Sequence, residues 1–262
     1  MFDRPASIRI FRLISVGLLL ATGVACREEP VAPAAVLEYE VVGEYPHDSL
    51  AFSQGLCFSE GQLYESTGRK GESTVRAVNP LTGKSTKEVE LPDRYFGEGL
   101  TALGGKLYQL TWDSGVGFLY DAATLEKLGT FAYQGEGWGL TSDGERLIVS
   151  DGTPMIRFYQ PEGFVLKRSL QIRDERGPVT QLNELEWIDG FLYANLWHTD
   201  FIVKIDPANG HVVGRLHLGR LLQPRPLDKE AVLNGIAHDP ASGLIYVTGK
   251  LWPRLYAIRL RE

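Results

Sequence analysis

Apolar residues along this chain fall in short runs that mostly alternate with polar ones, and no stretch of useful length carries them at helical spacing. Residues 36–42, Val-Leu-Glu-Tyr-Glu-Val-Val, alternate in this way and predict one strand with a face on a core and a face in water, but with no partner beside it in sequence. From residue 52 a longer pattern begins. Five stretches open alike: Phe52-Ser53-Gln54-Gly55-Leu56, Phe96-Gly97-Glu98-Gly99-Leu100, Glu136-Gly137-Trp138-Gly139-Leu140, Gln181-Leu182-Asn183-Glu184-Leu185 and Val232-Leu233-Asn234-Gly235-Ile236. Aligned on Gly55, Gly99, Gly139, Glu184 and Gly235, they recur at intervals of 40 to 51 residues, the period of a repeated supersecondary unit.

Each opening run leads into a glycine-containing turn at 59–61, 103–105, 142–144, 188–190 or 240–243, which suits a tight hairpin. Second strands follow at 63–66, 107–112, 147–150, 192–197 and 245–250 and align without a gap. Third strands, such as 74–79 and 202–205, and fourth strands, such as 87–91 and 213–218, complete a unit, but the last unit stops after its third strand at 254–260. One strand is spare at the start and one is missing at the end. This predicts an all-β, five-bladed β-propeller over residues 36–262 whose ring is closed by the N-terminal strand, residues 36–44 lying against 254–260. An up-and-down barrel or a sandwich also has short strands and glycine turns, but neither accounts for the four-strand period.

The segment before the propeller reads differently. Arg4, Arg9 and Arg12 precede an apolar run at 13–21, and small residues lead to Cys26, so residues 1–25 are expected to be the signal peptide of an exported, bacterial, periplasmic pre-protein. The small residues directly before Cys26 also resemble a lipoprotein signal, although Gly23 stands where Leu is usual. Cys26 is therefore the lipidation candidate, with simple cleavage beside it as the alternative. Residues 26–35 are expected to be a linker. Losing residues 1–25 removes three Arg and one Asp and takes the formal charge from −6 to −8, which offers no basic face for nucleic acid. Two Cys cannot make a disulfide framework. The protein is expected to be a monomer that meets a membrane only through a lipid at Cys26.

In a propeller the first strand of each blade lines the central channel, so residues one before the aligned position share a height at one mouth. That ring reads Gln54, Glu98, Trp138, Asn183 and Asn234, and three before the aligned position come Phe52, Phe96, Glu136, Gln181 and Val232. Second strands run back toward the same mouth and bring Gly68, Trp112, Gly152, Trp197 and Lys250. The expected pocket holds the Glu98 carboxylate, the Lys250 ammonium and the amides of Gln54 and Asn183 between Phe52, Phe96, Trp112, Trp138 and Trp197. Taken one at a time these residues read as a solvated loop glutamate, packing tryptophans and turn-capping asparagines. Their shared address in the repeat is what singles them out.

Other chemistries find little support. The five His form no His-x-x-x-His or His-x-Glu pattern, so a zinc hydrolase is not expected. There is no Gly-x-Ser-x-Gly elbow, Cys57 has no base near it in sequence, and the glycine-rich loops belong to hairpins and precede no helix. Glu184 and Glu186 flank Leu185 in the fourth opening run and read as channel polar groups before they read as a cation site.

The motifs together resemble the plant- and bacterial-type glutaminyl-peptide cyclotransferases. They are Phe-Ser-Gln-Gly-Leu (52–56), Leu-Tyr-Glu-Ser-Thr-Gly (63–68), Phe-Gly-Glu-Gly-Leu-Thr (96–101), Leu-Tyr-Gln-Leu-Thr-Trp (107–112), Glu-Gly-Trp-Gly-Leu-Thr (136–141), Leu-Asn-Glu-Leu-Glu-Trp (182–187), Tyr-Ala-Asn-Leu-Trp (193–197), Leu-Asn-Gly-Ile-Ala (233–237) and Thr-Gly-Lys-Leu-Trp-Pro (248–253). Ser53 and Trp187 depart from the Thr and Tyr usual there. The resemblance implies a zinc-independent five-bladed propeller that converts N-terminal glutaminyl residues of peptides and proteins into pyroglutamate and releases ammonia. It implies Glu98 as acid/base, Lys250 or an indole N–H as partner of the developing oxyanion, and Phe52, Gln54, Phe96, Trp112, Trp138, Asn183 and Trp197 as the substrate pocket. No cofactor is expected, with a structural calcium in the channel as the one cation the family suggests. A non-catalytic peptide- or amine-binding propeller is the alternative reading of the same cage. A metal-dependent lactonase would need several carboxylate and Asn ligands converging on a cation, which the ring does not offer.

Overall fold

The computed structural model of the chain describes residues 1–2 and 31–261. The chain divides into Met1–Pro30 and Val31–Glu262, and the second unit contains all the described strands. Apart from its first two residues, the expected signal peptide lies outside the described residues, as does Cys26.

Glycine and Asp turns fold the second unit into successive antiparallel sheets. The first blade is Ser53–Ser59, Gln62–Thr67, Thr74–Asn79 and Lys84–Glu90, and the second is Gly97–Leu103, Lys106–Thr111, Val116–Asp121 and Lys127–Ala132. The third is Leu140–Ser142, Leu147–Val149, Met155–Gln160 and Val165–Gln171. The fourth is Leu182–Ile188, Phe191–Leu196, Phe201–Ile205 and Val212–His217, and the fifth has only Leu233–Asp239, Leu244–Gly249 and Arg254–Leu260 in sequence order. Innermost strands are buried along most of their length, whereas the outermost strands of the first and third blades turn most positions to water. The sheets are thus arranged as the blades of a five-bladed propeller.

The apolar cores lie between blades. Cys57 and Val75 of the first pack with Leu100 and Phe118 of the second, and Leu110 of the second with Leu140 and Leu147 of the third. Ile148 and Phe158 of the third meet Leu185 and Val203 of the fourth, and Ile188 and Leu216 of the fourth meet Ile236 and Val247 of the fifth. Leu56 and Leu63 of the first blade share a cluster with Ala237 and Leu255 of the fifth. Every seam therefore has its own core, and each fully buried Leu or Ile contributes about 1.5–3 kcal/mol.

The N-terminal segment corrects one expectation. The single strand read over residues 36–42 is two strands that separate at Glu38. Ala35–Leu37 lies parallel on Val212–His217 as a fifth strand of the fourth blade, where Leu37 covers Gly214. Tyr39–Pro46 lies antiparallel on Arg254–Leu260, from Tyr39 opposite Leu260 to Pro46 opposite Arg254, and supplies the fourth strand of the fifth blade. Alternation cannot reveal such a handover, because both strands half-bury one face in the same phase. The strand placement also takes Ala35 out of the expected linker.

A buried charge network sits where the fifth blade meets the first. Nε2 of His47 is 3.0 Å from Oε1 of Glu65, and Nδ1 is 2.7 Å from the Trp252 carbonyl. Both partners only accept, so the ring carries both protons. Burial alone lowers the proton affinity of His47, but the Glu65 carboxylate reverses this and leaves its pKa raised. Burial likewise opposes charge on Glu65, yet His47, Arg76 and the hydroxyl of Ser53 hold it below the usual carboxylate range. Ser53 is thereby fixed next to Gln54, the first residue of the channel ring.

Candidate active site

Two local devices aim the ring residues. In the first, second, fourth and fifth blades the pairing of the innermost two strands shifts register, between Ser53 and Gly55, Gly97 and Leu100, Leu182 and Leu185, and Leu233 and Ile236. Each shift is a β-bulge, which re-aims the residues it contains. The first contains Gln54, and the others contain Glu98 with Gly99, Asn183 with Glu184, and Asn234 with Gly235. In the third blade the first strand starts only at Leu140, so Trp138 enters from a loop. The second device is close approach: a Cβ on Gly99 would lie 2.4 Å from the Leu140 nitrogen, and one on Gly139 would lie 2.0 Å from the Asn183 carbonyl oxygen. The repeated glycine is there because neighbouring inner strands touch at that height.

At the fourth aligned position Glu184 replaces glycine, and its side chain joins neighbouring blades. Oε1 accepts from the Leu56 N–H of the first blade at 3.2 Å and Oε2 from the Ile236 N–H of the fifth at 2.9 Å. Glu186 similarly accepts from the His238 N–H at 2.8 Å and from the Thr141 hydroxyl at 3.1 Å. These are the channel polar groups expected from the sequence. Among the described residues no group of three or more His, Cys, Asp and Glu is arranged to hold a metal ion.

Above the channel lies a cavity of about 240 Å³ lined by Phe52, Gln54, Phe96, Glu98, Trp112, Trp138, Asn183, Trp197, Lys250 and Glu230. All nine expected pocket residues meet in it. This is smaller than the ~300–1,000 Å³ of pockets for drug-sized ligands and suits one amino-acid residue. Phe52 meets Phe96 edge-on at 6.0 Å, Phe96 meets Trp112 at 5.8 Å, and Trp138 meets Trp197 at 5.4 Å, so the wall runs from blade to blade. Gly68 and Gly152, expected at the same mouth, have no side chain because the space is filled: a Cβ would lie 2.3 Å from Phe96 at the first and 2.6 Å from Trp138 at the second.

Glu98 and Lys250 are both buried in this wall. Burial raises the Glu98 pKa well above the usual carboxylate range; Lys250 pulls it down without winning, and Glu136 adds to the rise. Burial lowers Lys250, against the attraction of Glu98 and Glu230. Oε1 of Glu98 accepts from Nε2 of Gln54 at 2.9 Å, and the Lys250 ammonium lies 4.8 Å from the Phe52 ring centre and 5.8 Å from that of Trp197. Asn234, the fifth member of the ring read from the repeat, donates to the Ser53 carbonyl at 2.9 Å and to Oε1 of Gln54 at 3.3 Å. It holds the Gln54 bulge from the next blade.

The indole N–H groups are not equivalent. Nε1 of Trp112 donates to Oε2 of Glu136 at 3.0 Å and Nε1 of Trp138 donates to the same oxygen at 2.9 Å, so neither is the uncommitted donor the sequence suggested. Nε1 of Trp197 and Oδ1 of Asn183 are buried and have no hydrogen-bond partner among the described residues. Two pocket-lining residues thus carry an unpaired buried donor and an unpaired buried acceptor. Sequence reasoning missed Glu230, which comes from the loop before the fifth blade. The one signal for it is that this interval, from Glu184 to Gly235, is the longest in the repeat.

A ring of blades whose mouth pocket is walled by aromatic rings, with one buried acid and one buried amine, defines a propeller built for a small polar substrate group. The family described as "Glutamine cyclotransferase" matches residues 14–260. The Arabidopsis thaliana protein named "Glutaminyl-peptide cyclotransferase" is 42% identical over 232 residues, which is 86% of this chain and 72% of that one. The crystal structure of the Myxococcus xanthus glutaminyl cyclase is similar with a TM-score of 0.81 at 41% identity, over 88% of this chain and 98% of that one. This chain belongs to the glutamine cyclotransferase family.

Proposed function

We propose that the protein cyclises N-terminal glutaminyl residues of peptides to pyroglutamate and releases ammonia, an acyl transfer within one residue. The observation that carries this reading is the convergence of Glu98 and Lys250 in a residue-sized aromatic pocket of a chain from this family. The substrate's α-amine has an ordinary pKa near 7.7–8.0 and needs little activation. It attacks its own side-chain carbonyl carbon, forming the ring N–C bond. A glutamate at its usual pKa of about 4.3 is a weak base for this step. Burial raises the Glu98 pKa and so makes its carboxylate a stronger base. Glu98 takes the amine proton and returns it to the side-chain nitrogen, the C–N bond to that nitrogen breaks, and ammonia leaves. Lys250 and the Trp197 N–H are the donors for the transient oxyanion, and Oδ1 of Asn183 accepts from a substrate N–H. The aromatic walls restrict the flexible glutamine side chain to its ring-closing rotamers.

Each role uses a residue of this chain, and the proposed mechanism requires no zinc. Incubation with the dipeptide Gln-Ala should release ammonia and form pyroglutamyl-alanine, and a zinc-selective chelator should leave the rate unchanged. Binding of Gln-Ala without ammonia release would favour the non-catalytic peptide-binding reading. Loss of turnover with the chelator and recovery with zinc would overturn the metal-free mechanism.

A further inference from the structure

Glu136 lies in the loop that enters the third blade, exposed and outside the cavity lining. A glutamate there reads as a solvated loop residue, yet one of its oxygens receives both Trp112 and Trp138. Those indoles come from different blades and form adjoining parts of the pocket wall. We propose that Glu136 is a positioning residue, a carboxylate clamp that fixes two walls of the substrate cage from outside.

The two indoles need such a clamp to different degrees. Trp138 is held on its other sides, edge-on against Trp197 and closely against Gly152. Trp112 is 40% exposed and meets Phe96 on one edge, so little apolar packing sets its rotamer. Its backbone is well fixed: its carbonyl accepts from the Gly137 N–H at 3.0 Å, and Thr111 before it is gripped by the Tyr133 hydroxyl. The freedom left is in the side chain, and the bond to Glu136 removes it. Hydrogen bonds to an ionised acceptor are shorter and stronger than neutral ones, which suits a clamp at a wet rim. Since the ring-closing conformer must be held to within a fraction of an ångström, a loosened wall costs rate as well as affinity.

This inference rests on the cyclase reading, and the test separates the two by using a readout without turnover. Glu136→Ala should lower kcat/KM for Gln-Ala by about 10- to 100-fold and shift tryptophan emission and near-UV dichroism while thermal unfolding stays near wild type. Glu136→Gln keeps an oxygen that accepts both N–H groups and should recover most of the activity and the wild-type spectrum. Trp112→Phe keeps a ring and removes one donor, and serves as a second arm if Glu136→Ala folds poorly. Combined with Glu136→Ala, it should change kcat/KM by less than the product of the single effects. Wild-type kcat/KM or wild-type spectra in folded Glu136→Ala, a Glu136→Gln variant as impaired as Glu136→Ala, or full multiplicativity would each overturn the clamp. If wild type does not turn over Gln-Ala, the cyclase reading fails and the spectra alone decide for or against the clamp.

Discussion

Glu98 and Lys250 are moved toward each other by the same cause. Taking a carboxylate out of water favours its acid form and taking an ammonium out of water favours its amine form, so the gap between their proton affinities narrows. Glu98 then holds a proton more readily, and Lys250 less readily, than either does in solution. Lys250 also lies against the rings of Phe52 and Trp197, which favour its cation from the side that water does not reach. Lys250→Met keeps the length of the stem and removes the charge. With Trp112 and Trp138 committed to Glu136, the Trp197 N–H is the uncommitted indole donor among the described pocket residues. We predict that kcat for ammonia release falls about 10²–10³-fold, the loss typical of one oxyanion donor, with KM changed far less. Steady-state kinetics on Gln-Ala decide this, and a loss confined to KM would make Lys250 a binding group.

At the scale of strands, the innermost strand of the fourth blade is where burial and titration meet. Burial raises the Glu186 pKa to about 8, against the pull of the His238 N–H, the Thr141 hydroxyl and the Trp187 N–H. In the unfolded chain the group titrates near 4.3. A carboxyl with a raised folded pKa binds its proton more tightly in the native state, so its contribution is fully present below pH 4.3 and is lost as pH climbs to about 8. Glu186→Gln does not titrate, and its amide can donate to Thr141 while its oxygen accepts from His238. The variant should gain in melting temperature relative to wild type as pH rises from 5 to 8. An equal difference at both pH values would contradict the shift. The strand pattern itself was legible, since three Gly-Leu openings, their variants Glu184-Leu185 and Gly235-Ile236, and gapless second strands mark the five blades. The ring of Gln54, Glu98, Trp138, Asn183 and Asn234 followed from that repeat without any contact being known. The bulges that aim those side chains, the split at Glu38 and the sharing of Glu136 by two indoles were not legible. Each depends on which backbone or ring arrives from another blade, and one blade's spacing does not record that.

For the molecule as a whole, the five seams are of one kind except that between the fifth blade and the first, where sequence-distant strands meet. The core of Leu56, Leu63, Ala237 and Leu255, the His47 network and the strand Tyr39–Pro46 all converge on it. We propose that this strand latches the ring. Deleting the residues through 46 exposes the edge of Arg254–Leu260 and uncovers Gly214, and should lower the melting temperature by about 10 °C or more, at roughly 2–4 °C per kcal/mol for a chain of this size. A truncated protein that melts with wild type would show that the seam core suffices. The central claim is that the pocket at the propeller mouth cyclises glutamine with Glu98 carrying the proton. Its most direct test is kcat for ammonia release from Gln-Ala by wild type and Glu98→Gln, with thermal unfolding measured on the same samples. The amide preserves shape but cannot take up and return a proton, so kcat should fall at least about 10²-fold with KM little changed and the melting temperature not reduced. Near-wild-type kcat in folded Glu98→Gln would contradict the account and return Glu98 to a structural role.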